Sequence, residues 1–266
     1  MAGHLARAGH AVTVYNRTPA KAQAWVGEHG HAAAATPAAA AAEADIVFAC
    51  VGNDDGLRGV VFGDRGAFGG MKPGAIFVDH TTASAEVARE LSAAALPLGL
   101  QFIDAPVSGG NLGAINGALT VMCGGDAVAF GSIHPVAMAC SKAVTLLGAS
   151  GAGQLEKMVN QIAIAGLVQG LAEAIAFGDK AGLDMMAVLG VIGKTGRRAG
   201  SWTTAARRWS RTGSTSVSPS TGCERTWAWY STKRGATVRA CPSRRWSISS
   251  MPTSRRRAGT GSTPPA

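Results

Sequence analysis

An α/β protein built on a doubly wound parallel sheet, followed by an all-helical segment, is the fold class that the sequence predicts. Three observations carry this. Short apolar runs bounded by turn residues, "ADIVFACV", "GAIFVDHTT" and "QFIDAPVSGG", recur along the first part of the chain, as strands buried on both faces do. A helix-like stretch, "SAEVARELSAAALPLG", stands between two of them, and strands alternating with helices imply parallel pairing through crossovers. From Gly153 onward the pattern becomes one long helix-like run with few breakers.

The elements follow in order. "MAGHLARAGH" reads as a helix ended by Gly9, and "AVTVYNRT" alternates as a strand that stops at Asn16, Arg17 and Thr18. "TPAKAQAWVGEHG" returns to helix, and an Ala-rich stretch places another helix over residues 38–44. "ADIVFACV" and "GAIFVDHTT" are strands, and "SAEVARELSAAALPLG" is the helix leading to the strand in "QFIDAPVSGG", which runs into a glycine loop. "GALTVMCGGD" is a further strand and turn. "GQLEKMVNQIAIAGLVQGLAEAIAFGDKAGL" is the long helix, and "DMMAVLGVI" starts a second one. After Lys194 the periodicity ends. The expected organisation is a sheet domain over 1–150, the start of a helical domain over 151–194, and a basic tail over 195–266.

With 266 residues and 47% hydrophobic content, the chain is long enough to bury a sizeable core in one or two domains. Its formal charge of +9 would ordinarily point to a nucleic-acid partner, but the distribution argues otherwise. Residues 1–194 hold 11 Lys+Arg against 15 Asp+Glu, a formal −4, whereas residues 195–266 hold 14 Lys+Arg and only Glu224, a formal +13. The basicity belongs to the tail alone. Five Cys, at 50, 123, 140, 223 and 241, show no CxxC spacing and read as reduced thiols of a cytoplasmic protein. No apolar run reaches the length of a membrane span, and no apolar signal region follows Met1, so no membrane partner is expected. Asp54 and Asp55 stand together without a His or further carboxylate at ligand spacing, so no metal is expected either.

Six segments taken together, "MAGHLARAGHAVTVYNRT", "CVGNDDGLRGVVFG", "FVDHTTAS", "FIDAPVSGG", "GALTVMCGGD" and "GAGQLEKMVNQ", resemble the β-hydroxyacid dehydrogenase family, which includes 3-hydroxyisobutyrate dehydrogenase and tartronate semialdehyde reductase. The resemblance runs in order over residues 1–194. It implies a Rossmann-like domain, NADP or NAD as cofactor, a small hydroxy acid or its semialdehyde as substrate, and a homo-oligomer. A domain of this kind needs a first strand and a Gly-rich turn, because the pyrophosphate rests on bare backbone N–H groups at a helix N-terminus. Met1 matches a helix position after that turn, so the chain is expected to lack both.

The candidate site residues come from the same segments. Lys157 and Asn160 stand three apart, on one face of a helix that starts at a glycine turn. A Lys desolvated in a cleft has its pKa lowered toward neutrality and can exchange a hydroxyl proton. By resemblance Lys157 is that acid/base, and Asn160 helps to hold the substrate. Ser108, Gly109 and Gly110 can offer a hydroxyl and closely approaching N–H groups to a carboxylate, and the resemblance assigns the substrate acid group to them. Asn16, Arg17 and Thr18 lie where the adenosine ribose is expected; no acidic residue stands there to favour NAD, and Arg17 can pair with a 2′-phosphate. Val51 and Gly52 resemble a loop over the cofactor, and Thr82 a loop near the nicotinamide. His80 is read as a bystander, and Glu173 as a structural hydrogen-bonding residue. The family also uses a Lys in a Lys-Asp-Leu segment, which this chain lacks.

The tail admits two readings. Its Arg, Ser, Thr, Gly and Pro suit a disordered basic arm, which would bind nucleic acid. Its Trp residues do not. Trp has a single codon, TGG, so "TWAWY" at 226–230 fixes the underlying bases, and a one-base shift rereads them as Leu/Met/Val, Gly, Leu/Met/Val, Val. A shifted frame beginning near Lys194–Thr195 is the expectation, with a non-catalytic cofactor-fold protein and a nucleic-acid binder as the alternatives to an active dehydrogenase.

Overall fold

The computed structural model of the chain describes residues 1–192; the basic tail over 195–266 and its expected change of frame lie outside the described residues. The chain opens with α1 (Ala2–Arg7), β1 (Thr13–Val14), α2 (Pro19–His29), β2 (Ala32–Ala33) and α3 (Pro37–Ala41). It continues through β3 (Ile46–Ala49), α4 (Asp54–Val61), α5 (Ala67–Gly70), β4 (Ile76–Asp79), α6 (Ala85–Ala95) and β5 (Gln101–Asp104). After these come β6 (Val107–Ser108), α7 (Gly110–Ile115), β7 (Leu119–Gly125), α8 (Ala127–Ala137) and β8 (Ser141–Gly148). The long helix α9 (Ala152–Lys180) and then α10 (Met185–Ile192) complete the described part.

Side-chain caps set several helix starts. Thr36 Oγ1 accepts from Ala39 N–H at 3.0 Å, Asn53 Oδ1 from Gly56 N–H at 2.8 Å and Ser84 Oγ from Val87 N–H at 3.1 Å. Asp126 Oδ1 accepts from Val128 and Ala129 at 2.8 and 3.0 Å. Each satisfies a donor that a first helical turn leaves free.

β3, β4 and β5 pair in parallel, in the register Ile46–Ile76–Gln101 through Ala49–Asp79–Asp104. All four residues of β4 are buried, because helices cover both faces. Phe77 enters a layer with Leu57, Val61, Phe68, Val87 and Leu91 from α4, α5 and α6. Ile76 and Val78 point the other way, into a layer with Ala129, Ile133 and Ala137 of α8. Each fully buried Leu, Ile or Phe there contributes roughly 1.5–3 kcal/mol.

The doubly wound core is the one expected, and its far side adds a reversal. β7 runs antiparallel to β5 and to β6, and β8 runs parallel to β7. Only the ten residues between Ser108 and Leu119 connect β6 to β7, fewer than the dozen or more that a parallel return requires. β1 and β2 form their own parallel pair, Thr13 opposite Ala32 and Val14 opposite Ala33.

α9 starts against the sheet, with Gly153, Gln154 and Lys157 buried, and later packs Leu171 and Ile175 on Met185 and Leu189 of α10. By length and composition alone, an 18-residue window of α9 is apolar enough to cross a membrane, with a mean hydropathy of 1.4. Gln161 and Gln169 interrupt its apolar stretch, which is why no continuous run stands out in the sequence.

Candidate active site

Asp104, the last residue of β5, is fully buried. Its carboxylate accepts from Gly151 N–H at 2.7 Å and from Gln154 N–H at 3.0 Å, and so caps the start of α9 from across the fold. Burial holds its pKa above the usual carboxylate range, while the bonds from Gly151 and Gln154 pull it back. The approach is close. A Cβ added at Gly153 would meet Met122 O and both the backbone and the side-chain oxygens of Asp104, so only glycine lets the helix seat there.

Gln154, also fully buried, accepts from Ala83 N–H through Oε1 at 3.0 Å and donates through Nε2 to Thr81 O at 2.7 Å. The expected cofactor residue Thr82 lies between those two anchored residues and is half-buried. Thr81 Oγ1 in turn accepts from Val51 N–H at 3.0 Å, and Asp54 Oδ1 accepts from Ser84 N–H at 2.9 Å. The loops carrying Val51–Gly52 and Thr82 are thereby stitched to each other and to α9.

One turn beyond Gln154, Lys157 is buried, 8% exposed, and its Nζ donates to Val107 O at 2.9 Å. Burial pushes its pKa below the usual lysine value, and Glu156 pushes it up by a smaller amount. Val107 immediately precedes Ser108, so the amine sits one residue from the Ser108–Gly110 turn. Gly109 and Gly110 adopt φ of 125° and 60° and are exposed. Asn160, a further turn along α9, is half-buried and donates to Gln161 Oε1 at 3.3 Å. A run of hydrogen bonds thus leads from the Val51 loop through Thr81 and Gln154 to the helix that carries Lys157, and from Lys157 to β6.

Asn16, Arg17 and Thr18 are placed apart from this run. They are exposed at the carboxyl end of β1, where Asn16 Oδ1 accepts from Thr18 N–H at 2.9 Å. His80 is buried, stacked on Phe48 at 5.5 Å, and donates through Nδ1 to Ala105 O at 2.6 Å. Burial pushes its pKa down to about 4, so it is neutral at physiological pH. Its neighbour Asp79 is pushed up to about 7 by burial, against bonds from Thr81. Glu173 accepts from Gln169 Nε2 at 2.9 Å on the exposed side of α9.

Sequence reasoning missed Asp104 and Gln154. The only local signal was an acidic residue ending an apolar strand, and a Gln after a glycine turn; their partners lie 47 to 73 residues away. The residues present fit the ribose and nicotinamide ends of a dinucleotide, while no Gly-x-Gly-x-x-Gly turn that would hold its pyrophosphate stands among the described residues. Arg17 and Gly52 are exposed at the carboxyl ends of β1 and β3, where parallel sheets bind such ligands, and Thr82 lies in a loop fixed from both sides.

Residues 1–148 match the family model of the NAD-binding domain of 6-phosphogluconate dehydrogenase, and residues 151–220 that of the NAD-binding region of NADP-dependent 3-hydroxyisobutyrate dehydrogenase. The fold and these matches define the class of Rossmann-type NAD(P)-dependent oxidoreductases. An uncharacterised oxidoreductase of Shewanella frigidimarina is 61% identical over 194 residues, 73% of this chain and 67% of that protein. The probable 3-hydroxyisobutyrate dehydrogenase-like 1 of Arabidopsis thaliana, described as mitochondrial, is 41% identical over 193 residues, 72% of this chain and 57% of that protein. Among solved structures, Psf3 in complex with NADP+ and 2-OPP aligns with a TM-score of 0.77 at 27% identity, covering 91% of this chain and 84% of the other. The chain belongs to the β-hydroxyacid dehydrogenase family.

Proposed function

We propose that the chain interconverts a short 3-hydroxy acid and its semialdehyde, with NADP preferred over NAD. The observation that carries this is the Lys157 amine, buried and 2.9 Å from Val107 O, beside the turn of Ser108, Gly109 and Gly110. The bound cofactor supplies the hydride acceptor or donor. Lys157 takes the hydroxyl proton during oxidation and returns it during reduction, a task that its lowered pKa suits. Ser108, Gly109 and Gly110 hold the carboxylate, Asn160 steadies the substrate, and Thr82 with Val51 and Gly52 faces the cofactor. Arg17 supports NADP, as an exposed cation at the end of β1 able to pair with a 2′-phosphate.

The same reading divides the chain into a cofactor domain over 1–150, the start of a helical substrate and dimerisation domain over 151–194, through which intact relatives pair, and a frameshifted tail over 195–266. Sequencing the encoding DNA across codon 194 decides the last point. Location in the cytoplasm belongs to the proposal as well, supported by the free thiols of Cys50, Cys123 and Cys140.

Turnover of 3-hydroxyisobutyrate with NADP tests the assignment. Lys157→Ala should lower kcat by roughly 10²–10⁴ while dinucleotide affinity holds. The unprotonated amine is the base, so the wild-type oxidation rate should rise with pH through a pKa below lysine's usual 10.5 and then level off. The reduction rate should fall over the same range. A Lys157→Ala chain with wild-type turnover overturns the assignment.

A further inference from the structure

We propose that His4 is a positioning residue that clamps the Ser108–Gly110 turn from the side of α1. The inference rests on the reading of that turn as the carboxylate site. Immediately after the turn comes α7, six residues with no buried side chain; Leu112 and Ile115 are 73% and 60% exposed. So short a helix does not hold itself in water, and it meets the core through the bare backbone of Gly113 beside buried Leu119 rather than through a buried side chain of its own. Polar contacts therefore help to place it.

His4 provides them. Its Nε2 lies 2.9 Å from Ala114 O and 3.1 Å from Ile115 O, carbonyls at the end of α7 that its own helix leaves without a donor. Arg7 Nη2 lies 3.0 Å from His4 Nδ1. A carbonyl only accepts and a guanidinium only donates, so these partners select one state of the ring. Nε2 carries the hydrogen and Nδ1 presents its lone pair. Gly117 completes the seat. Its backbone has φ of 63°, and a Cβ there would stand 3.0 Å from His4 Cε1 and 3.1 Å from Nδ1.

The substrate turn is thus held at both flanks, by Lys157 on the carbonyl of Val107 before it and by His4 on the carbonyls of Ala114 and Ile115 after it. His4 belongs to the first helix of the chain, more than 100 residues from its acceptors. It acts on the substrate only through α7, so the effect of removing it must show in substrate affinity and in the mobility of α7 together.

The test uses the full chain as wild type, His4→Ala and His4→Gln, the last retaining an N–H donor. Hydrogen exchange is read on the amides of 113–118, with those of β4 as the folding control. Affinities for 3-hydroxyisobutyrate and NADP are measured by calorimetry. Loss of the N–H that these two carbonyls share should speed exchange at 113–118 by about tenfold and weaken the hydroxy acid by about as much. NADP affinity should stay within about twofold, and His4→Gln should restore most of both losses. Unchanged exchange at 113–118 in His4→Ala, faster exchange in β4 as well, or equal weakening of NADP and hydroxy acid overturns the clamp. A wild-type chain that binds no hydroxy acid refutes the functional reading instead, and the exchange contrast at 113–118 still decides the clamp.

Discussion

Asp104→Ala removes the carboxylate that receives Gly151 N–H at 2.7 Å and Gln154 N–H at 3.0 Å. A buried donor left without a partner costs about 1–3 kcal/mol, so the two together come to about 2–6 kcal/mol. One effect opposes this. Burial raises the pKa of Asp104, so its ionised form is penalised in the fold and alanine lifts that penalty. The lost bonds dominate, and the net cost should fall near about 3 kcal/mol, a large share of a typical stability of about 5–15 kcal/mol. Asp104→Asn sheds the charge but keeps one acceptor oxygen, so it should cost about half as much. Urea unfolding at pH 7, followed by circular dichroism, reads both values. The pH dependence gives a second check. An acid whose folded pKa is raised favours the protonated folded state, so its contribution worsens as pH climbs from the unfolded to the folded pKa, and the Asn variant should lack that loss. An Ala variant within about 0.5 kcal/mol of wild type, or an Asn variant less stable than the Ala one, would refute the cap as the anchor of α9.

Three further outcomes are expected, beside the Lys157 result above. Arg17→Ala should weaken NADP by roughly tenfold to a hundredfold and leave NAD nearly untouched, as fluorescence titration of both cofactors will show. Gln154→Ala leaves Ala83 N–H and Thr81 O buried without their partners and should cost about 2–4 kcal/mol in the same urea assay, with faster exchange of the amides at 81–84. For His80 the folded pKa is about 4, below the ordinary 6.5, so the unfolded chain takes up its proton first as pH falls. Stability should decline by about 3 kcal/mol between pH 6.5 and 4, and His80→Phe should remove most of that decline when unfolding is measured across the range.

Much of the fold was legible where burial writes a pattern into the sequence. β3, β4, β5 and α6 showed as apolar runs and a helix because two covered faces leave no room for polar interruption. β8 did not show, since "SKAVTLLG" mixes buried Ser141 and Val144 with exposed Lys142 and Leu147. α8 was obscured by Pro135 within it. The break between β5 and β6 at Ala105–Pro106, and the reversal of β7, depend on which strand lies alongside, and periodicity does not encode that. The site followed the same rule. Lys157 and the Ser108–Gly110 turn carry recognisable residue types at recognisable spacing. Asp104, Gln154 and His4 act through partners far along the chain, and the local pattern around each does not reveal those partners.

α9 is one unbroken rod of 29 residues, about 44 Å long, and its amine-bearing residue lies only about 9 Å from the pinned end. A tilt of about 5° around that pin would sweep the Lys180 end through about 4 Å but carry the reacting nitrogen less than about 1 Å. Whatever tugs on the distal half therefore pulls a lever whose proton-handling group sits close to the fulcrum, sheltered from the swing.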